Sequence, residues 1–151
     1  MQHHHILRVV TKFNLPLILL FGLYVQFHGD FGPGGGFQAG VIIGAAFILY
    51  TLVFGLESAA RVAPPDVLRY LSLSGVLIYG GTGALNLLLG ADFLDYGSLV
   101  PSHPSHGQHY GILAVEFGVG LTVASTMVLI FFALGGRGRA DEDAEDGDAT
   151  S

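Results

Sequence analysis

Glu116 sits in the apolar run "GILAVEFGVGLTVASTMVLIF", residues 111–131. An ionisable residue in such a run is costly in hydrocarbon and points to a functional site. Held away from water without a cation, a carboxyl group favours its neutral form and can carry a proton. Ionised, it is a hard oxygen ligand for a hard cation. The plain structural alternative is a carboxyl group hydrogen-bonded to nearby backbone or to a partner chain. Gly120 and Ala124 follow Glu116 at four-residue spacing, so that face should pack against another helix.

Other polar side chains fall near the same depth. Tyr24, Gln26 and His28 end one apolar run, Asp30 follows it, and Asn86 lies near the end of another. With Glu116 they form a candidate polar cluster, with Glu116, His28, Asp30 and Asn86 as candidates for an ion path. Each taken alone is an ordinary interfacial residue satisfied by headgroups or water. His103, His106 and His109 recur every three residues. Prolines and a glycine interrupt that run, and no cysteine or nearby acid completes a tetrahedral set, so no metal site is expected. A solvated or partner-contacting loop is the simpler reading, and a proton-collecting surface the chemical one.

"HGDFGPGGGFQAG", residues 28–40, joins two apolar runs. A glycine-rich loop can hold phosphate, but a dinucleotide fingerprint needs a preceding strand, and a P-loop needs Gly-Lys-Ser/Thr. Neither is present. A tight reversal is the better reading: Pro33 fixes one φ angle, and Gly34, Gly35 and Gly36 free the next ones. Gly36, Gly40 and Gly44 then repeat every fourth residue, which lets another helix approach closely.

The elements that must position these residues are membrane helices. Of 151 residues, 51% are hydrophobic and 12% charged, and the mean hydropathy is +0.59. Four runs are long enough to cross about 30 Å of hydrocarbon, at about 7–27, 37–56, 67–89 and 111–134. Pro16 should bend the first. The fold class expected is an all-α integral membrane protein of four transmembrane helices. All six Lys and Arg residues (Arg8, Lys12, Arg61, Arg69, Arg137 and Arg139) fall on one side of this arrangement. The positive-inside rule then makes both termini cytoplasmic. "MQHHHILRVVTKF" lacks the small-x-small cleavage site of a signal peptide.

The domain division expected is a four-helix membrane domain over 1–136 and an acidic, disordered cytoplasmic tail over 137–151. Residues 141–148 of that tail hold six of the twelve acids, and without them the chain is nearly neutral. No basic patch suggests nucleic acid. The chain has no cysteine, and no nucleophile–base set or cofactor-ligand pattern stands out, so neither an enzyme nor a bound cofactor is expected.

"FHGDFGPGGGFQAGVIIGAAFILY" and the last apolar run, a glutamate followed by glycines, resemble the B subunits of multisubunit Na⁺/H⁺ antiporters, the Mrp or Mnh family. The resemblance covers about residues 6–134. Pro33, Gly34, Gly35, Gly36 and Phe37 match the family's central stretch, and His28 and Glu116 its polar positions. Asp30, Phe31, Gln38 and Ala39 depart from the pattern and suggest a subgroup. The resemblance implies a small subunit that packs against sister subunits and lines part of the ion route, with Gly40, Gly44 and Gly120 as packing residues. Large complex I-like antiporter subunits would be partners, Na⁺ and H⁺ the transported ions, and a bacterial or archaeal cytoplasmic membrane the location. The alternative is a purely structural subunit of a complex I- or hydrogenase-related membrane complex.

Overall fold

The computed structural model describes the backbone of residues 2–29 and 32–148 and the side chains of residues 5–29 and 32–137. Asp30, one of the expected ion-path residues, lies outside that set. The described residues form five helices: α1 (Gln2–His28), α2 (Gly36–Phe54), α3 (Leu56–Val62), α4 (Pro65–Leu88) and α5 (Pro104–Asp148). A single 3₁₀ turn, Tyr96–Leu99, interrupts the loop before α5. No strand occurs among the described residues.

Four of the helices are long and apolar enough to cross a membrane, at His5–His28, Gly36–Phe54, Pro65–Leu88 and Pro104–Arg137. These are the four expected spans, and the chain is a multi-pass membrane protein. Two boundaries move. Helix α1 runs through Pro16 without a break in its helical assignment. Helix α5 begins at Pro104, not near 111, because Pro at the first turn leaves no donor to satisfy. Its helical backbone continues to Asp148, past residue 136. The Ala- and Glu-containing segment after it holds no proline to stop a helix.

The helices form a row in the order α1, α2, α5, α4. Helices α1 and α2 are antiparallel: a methyl group on Gly22 would lie 3.0 Å from Ile43 Cγ1, while Lys12 Nζ lies 5.7 Å from the Phe54 ring centroid. Helices α2 and α5 are parallel, since Gly36, Gly40 and Gly44 meet Glu116, Gly120 and Ala124 in that order. Helix α4 runs antiparallel to α5, with Gly75 against Gly118 and Ser72 against Thr126. Arg8, Lys12, Arg61, Arg69 and Arg137 therefore gather at one end, here the basic end. The glycine loop and the 89–103 loop share the other.

At the basic end, α3 folds back to close the bundle. Ala59 and Ala63 pack with Leu68, Val128 and Phe132 into the main buried apolar cluster. Elsewhere burial is small-residue packing, as expected where lipid offers no hydrophobic drive between helices. Four hydroxyl groups, those of Thr51, Thr82, Thr122 and Ser125, bond back to the carbonyl four residues earlier, as Thr51 does to Phe47 (2.8 Å) and Ser125 to Leu121 (2.7 Å). Such bonds satisfy a hydroxyl within its own helix.

Candidate functional site: a carboxylate beneath the glycine loop

Gly35 N–H donates to the Val25 carbonyl (3.2 Å), which folds the loop back onto the end of α1. Gly35 has φ +121°, a conformation that side-chain-bearing residues rarely adopt. It caps the N-terminus of α2 without a side chain of its own.

Into this turn comes the carboxylate of Glu116. A methyl group on Gly29 would lie 2.5 and 2.6 Å from the two Glu116 carboxylate oxygens. One on Gly35 would lie 2.9 Å from Oε1. One on Gly36 would overlap the Glu116 backbone carbonyl. Three glycines thus form the seat of the acid, and any side chain there would displace it or part the helices. The seam continues down both helices. A methyl group on Gly40 would lie 2.7 Å from the Gly120 carbonyl oxygen, and one on Gly44 3.4 Å from that of Ala124.

The acid thus lies at the N-terminus of α2, where backbone N–H groups and the helix dipole attract negative charge. Glu116 is half-buried and opens on a lateral cleft of about 340 Å³, lined also by Gly34, Gly35, Gly36, Phe37 and Val115. Phe37 is 64% exposed at its rim.

The other expected residues divide into three places. His28 stays with the loop: its Nε2 would lie 3.2 Å from a methyl group on Gly32, and its ring stacks on Tyr24 at 5.1 Å. Gln26 is buried in the contact of α1 with α5, and its Oε1 would lie 2.6 Å from a methyl group on Gly120. Asn86 is fully buried under the 89–103 loop. Ser98 Oγ lies 3.4 Å from Asn86 Oδ1, a long contact beside its 2.7 Å hydrogen bond to Asp95 O. The structure therefore separates Asn86 from the glycine loop in its contacts.

The loop above Asn86 is packed, not open. Phe93 fills the space beside Gly83, and the Tyr96 ring lies against Gly111. Burial and the neighbouring Tyr79 push the Tyr96 phenol up from its ordinary value. His103, His106 and His109 are exposed; His103 and His106 stand 5.8 Å apart edge to face. Among the described residues no group of three or more His, Cys, Asp or Glu side chains is placed to share a metal ion.

Sequence reasoning missed Gly29, which reads as an ordinary turn residue until Glu116 is placed against it. It also missed the α4–α5 seam, where Ser72 Oγ and Thr126 Oγ1 are 3.0 Å apart and Gly75 meets Gly118. The four-residue spacing of Gly118, Thr122 and Thr126 carried that signal.

Residues 6–129 match a family described as a domain related to the MnhB subunit of Na⁺/H⁺ antiporters. A Staphylococcus aureus (strain Newman) protein named "Putative antiporter subunit mnhB2" is 35% identical over 133 residues, 87% of this chain and 94% of its own length. A Staphylococcus haemolyticus (strain JCSC1435) protein of the same name matches at the same 35% over the same 87% and 94%.

Proposed function

We propose a role for the chain from one premise: it belongs to the family of MnhB-related subunits of Na⁺/H⁺ antiporters. It is an antiporter subunit and not an enzyme. Its setting is a multisubunit membrane complex.

Within that complex the chain lines part of the ion route, and Glu116 is the group that binds the travelling ion or proton. One observation carries this reading: an acid in a spanning helix is seated by three glycines at the N-terminus of another. Pro33, Gly34, Gly35, Gly36 and Phe37 shape the seat, His28 flanks it, and Gly40, Gly44 and Gly120 hold the helices at the required distance. Asn86 serves the neighbouring loop. Na⁺ and H⁺ are the ions moved, and sister subunits, including large complex I-like ones, cover the exposed apolar faces. The location is a bacterial or archaeal cytoplasmic membrane. The basic end faces the cytoplasm, with both termini and the acidic segment 137–151 there.

The test is Glu116→Gln in the whole complex. The variant should assemble at wild-type mass. In inverted membrane vesicles its Na⁺-dependent collapse of a pH gradient should fall at least about tenfold, since one lost charge-assisted hydrogen bond already costs that much. Wild-type exchange by the assembled variant would remove Glu116 from the route.

A further inference from the structure

Gln26 is 5% exposed, and its Nε2 has no hydrogen-bond partner among the described residues. A buried amide donor left unpaired is costly, and most so in a low-dielectric interior. Its position suggests what the donor is for. The amide lies against Gly120, which is one helical turn, about 6 Å, from Glu116 toward the basic end. Gly120 carries no side chain, so the amide comes directly against the α5 backbone there, its Oε1 on the Gly120 side.

We propose that Gln26 is a positioning residue for Glu116, and that its Nε2 donates to the carboxyl group when the acid leaves the glycine seat and turns inward along α5. The carboxyl group then has two stations, one beneath Gly29 and Gly35 and one at Gln26. Carriage between two stations is what an ion route needs of a mobile ligand. Asn86 also has an unpaired amide nitrogen, but its contact runs to Ser98 in the 89–103 loop, so it does not serve this role. This inference rests on the reading of Glu116 given above.

The experiment compares Gln26→Met with wild type in the purified whole complex. Methionine keeps the length of the side chain and removes the donor. Assembly at wild-type mass, exchange lowered about tenfold, and a shift to higher frequency of the Glu116 carboxyl band in infrared difference spectra are expected. Loss of the band in Glu116→Gln identifies it. An assembled Gln26→Met complex with wild-type exchange and an unmoved band overturns the proposal. If Gln26→Met does not assemble, Gln26→Glu decides, because its protonated carboxyl group can donate in the same place. At least a third of wild-type exchange supports the second station, and an assembled but inactive complex overturns it. Full exchange by Glu116→Gln would sink the ion-route reading itself, whereas an inactive Glu116→Gln beside a fully active Gln26→Met sinks only the role of Gln26.

Discussion

Gly36 and Glu116 meet backbone to backbone. A methyl group on Gly36 would overlap the Glu116 carbonyl oxygen, and the same contact brings the Glu116 side chain under Gly29 and Gly35. The closest approach of two helices and the placement of the acid are thus one feature. The parallel course of α2 and α5 extends it, because each further turn offers another small residue to the opposite backbone.

Gly36→Ala should therefore force α2 from α5. The variant should lose several degrees of thermal stability in detergent, or fail to enter the complex, as overpacking of about 1–3 kcal/mol implies. Gly80→Ala is the control, since a methyl group there meets nothing within 4 Å. It should leave stability unchanged or slightly raised. Thermal melts of both variants by circular dichroism make the comparison.

Gly29→Ala acts on the acid more than on the fold. The added methyl group falls on the Glu116 carboxylate, the end of a flexible side chain, and Gly29 is not among the glycines of positive φ. The complex should assemble, while exchange drops by about tenfold as the acid is pushed from its seat. Rates in vesicles, set against the amount of assembled complex, check this.

Asn86 predicts opposite outcomes for two replacements of similar size. Asn86→Leu removes a fully buried, half-satisfied amide and should be tolerated within about 1 kcal/mol. Asn86→Asp buries a charge without a cation and should lower stability by about 3 kcal/mol or more, or abolish accumulation. Unfolding midpoints and membrane yields distinguish them.

The orientation can be read by labelling, because the chain has no native cysteine. A cysteine at Ser102 should react with a membrane-impermeant maleimide added to intact cells. One at Ser58 should react only after the membrane is opened. The reverse pattern would invert the topology.

The four spans were legible because their physics is local. About 20 apolar residues in a row leave a helix as the main way to satisfy backbone polar groups in lipid. The basic residues marked one end of the bundle for the same reason, since charge is excluded from hydrocarbon wherever the helices lie. The start of α5 at Pro104 was less legible, because seven mostly polar residues precede its apolar run and hydropathy does not register them.

Glu116 was visible as an anomaly in its run, and Gly36, Gly40 and Gly44 as a repeat, yet nothing in the order of residues paired the two. That pairing depends on α2 lying beside α5 in parallel, a contact between segments about eighty residues apart. Gly29 gains its meaning only there, as the floor over a carboxylate. Gln26 and Asn86 look alike in sequence, each an amide near a helix end. Packing sends one to the acid-bearing helix and the other beneath a loop. Composition and charge placement determined what crosses the membrane and which end is basic, because those terms act on each segment alone. Tertiary structure decided which polar groups meet, because in lipid that choice rests on close contact between backbones distant in the chain.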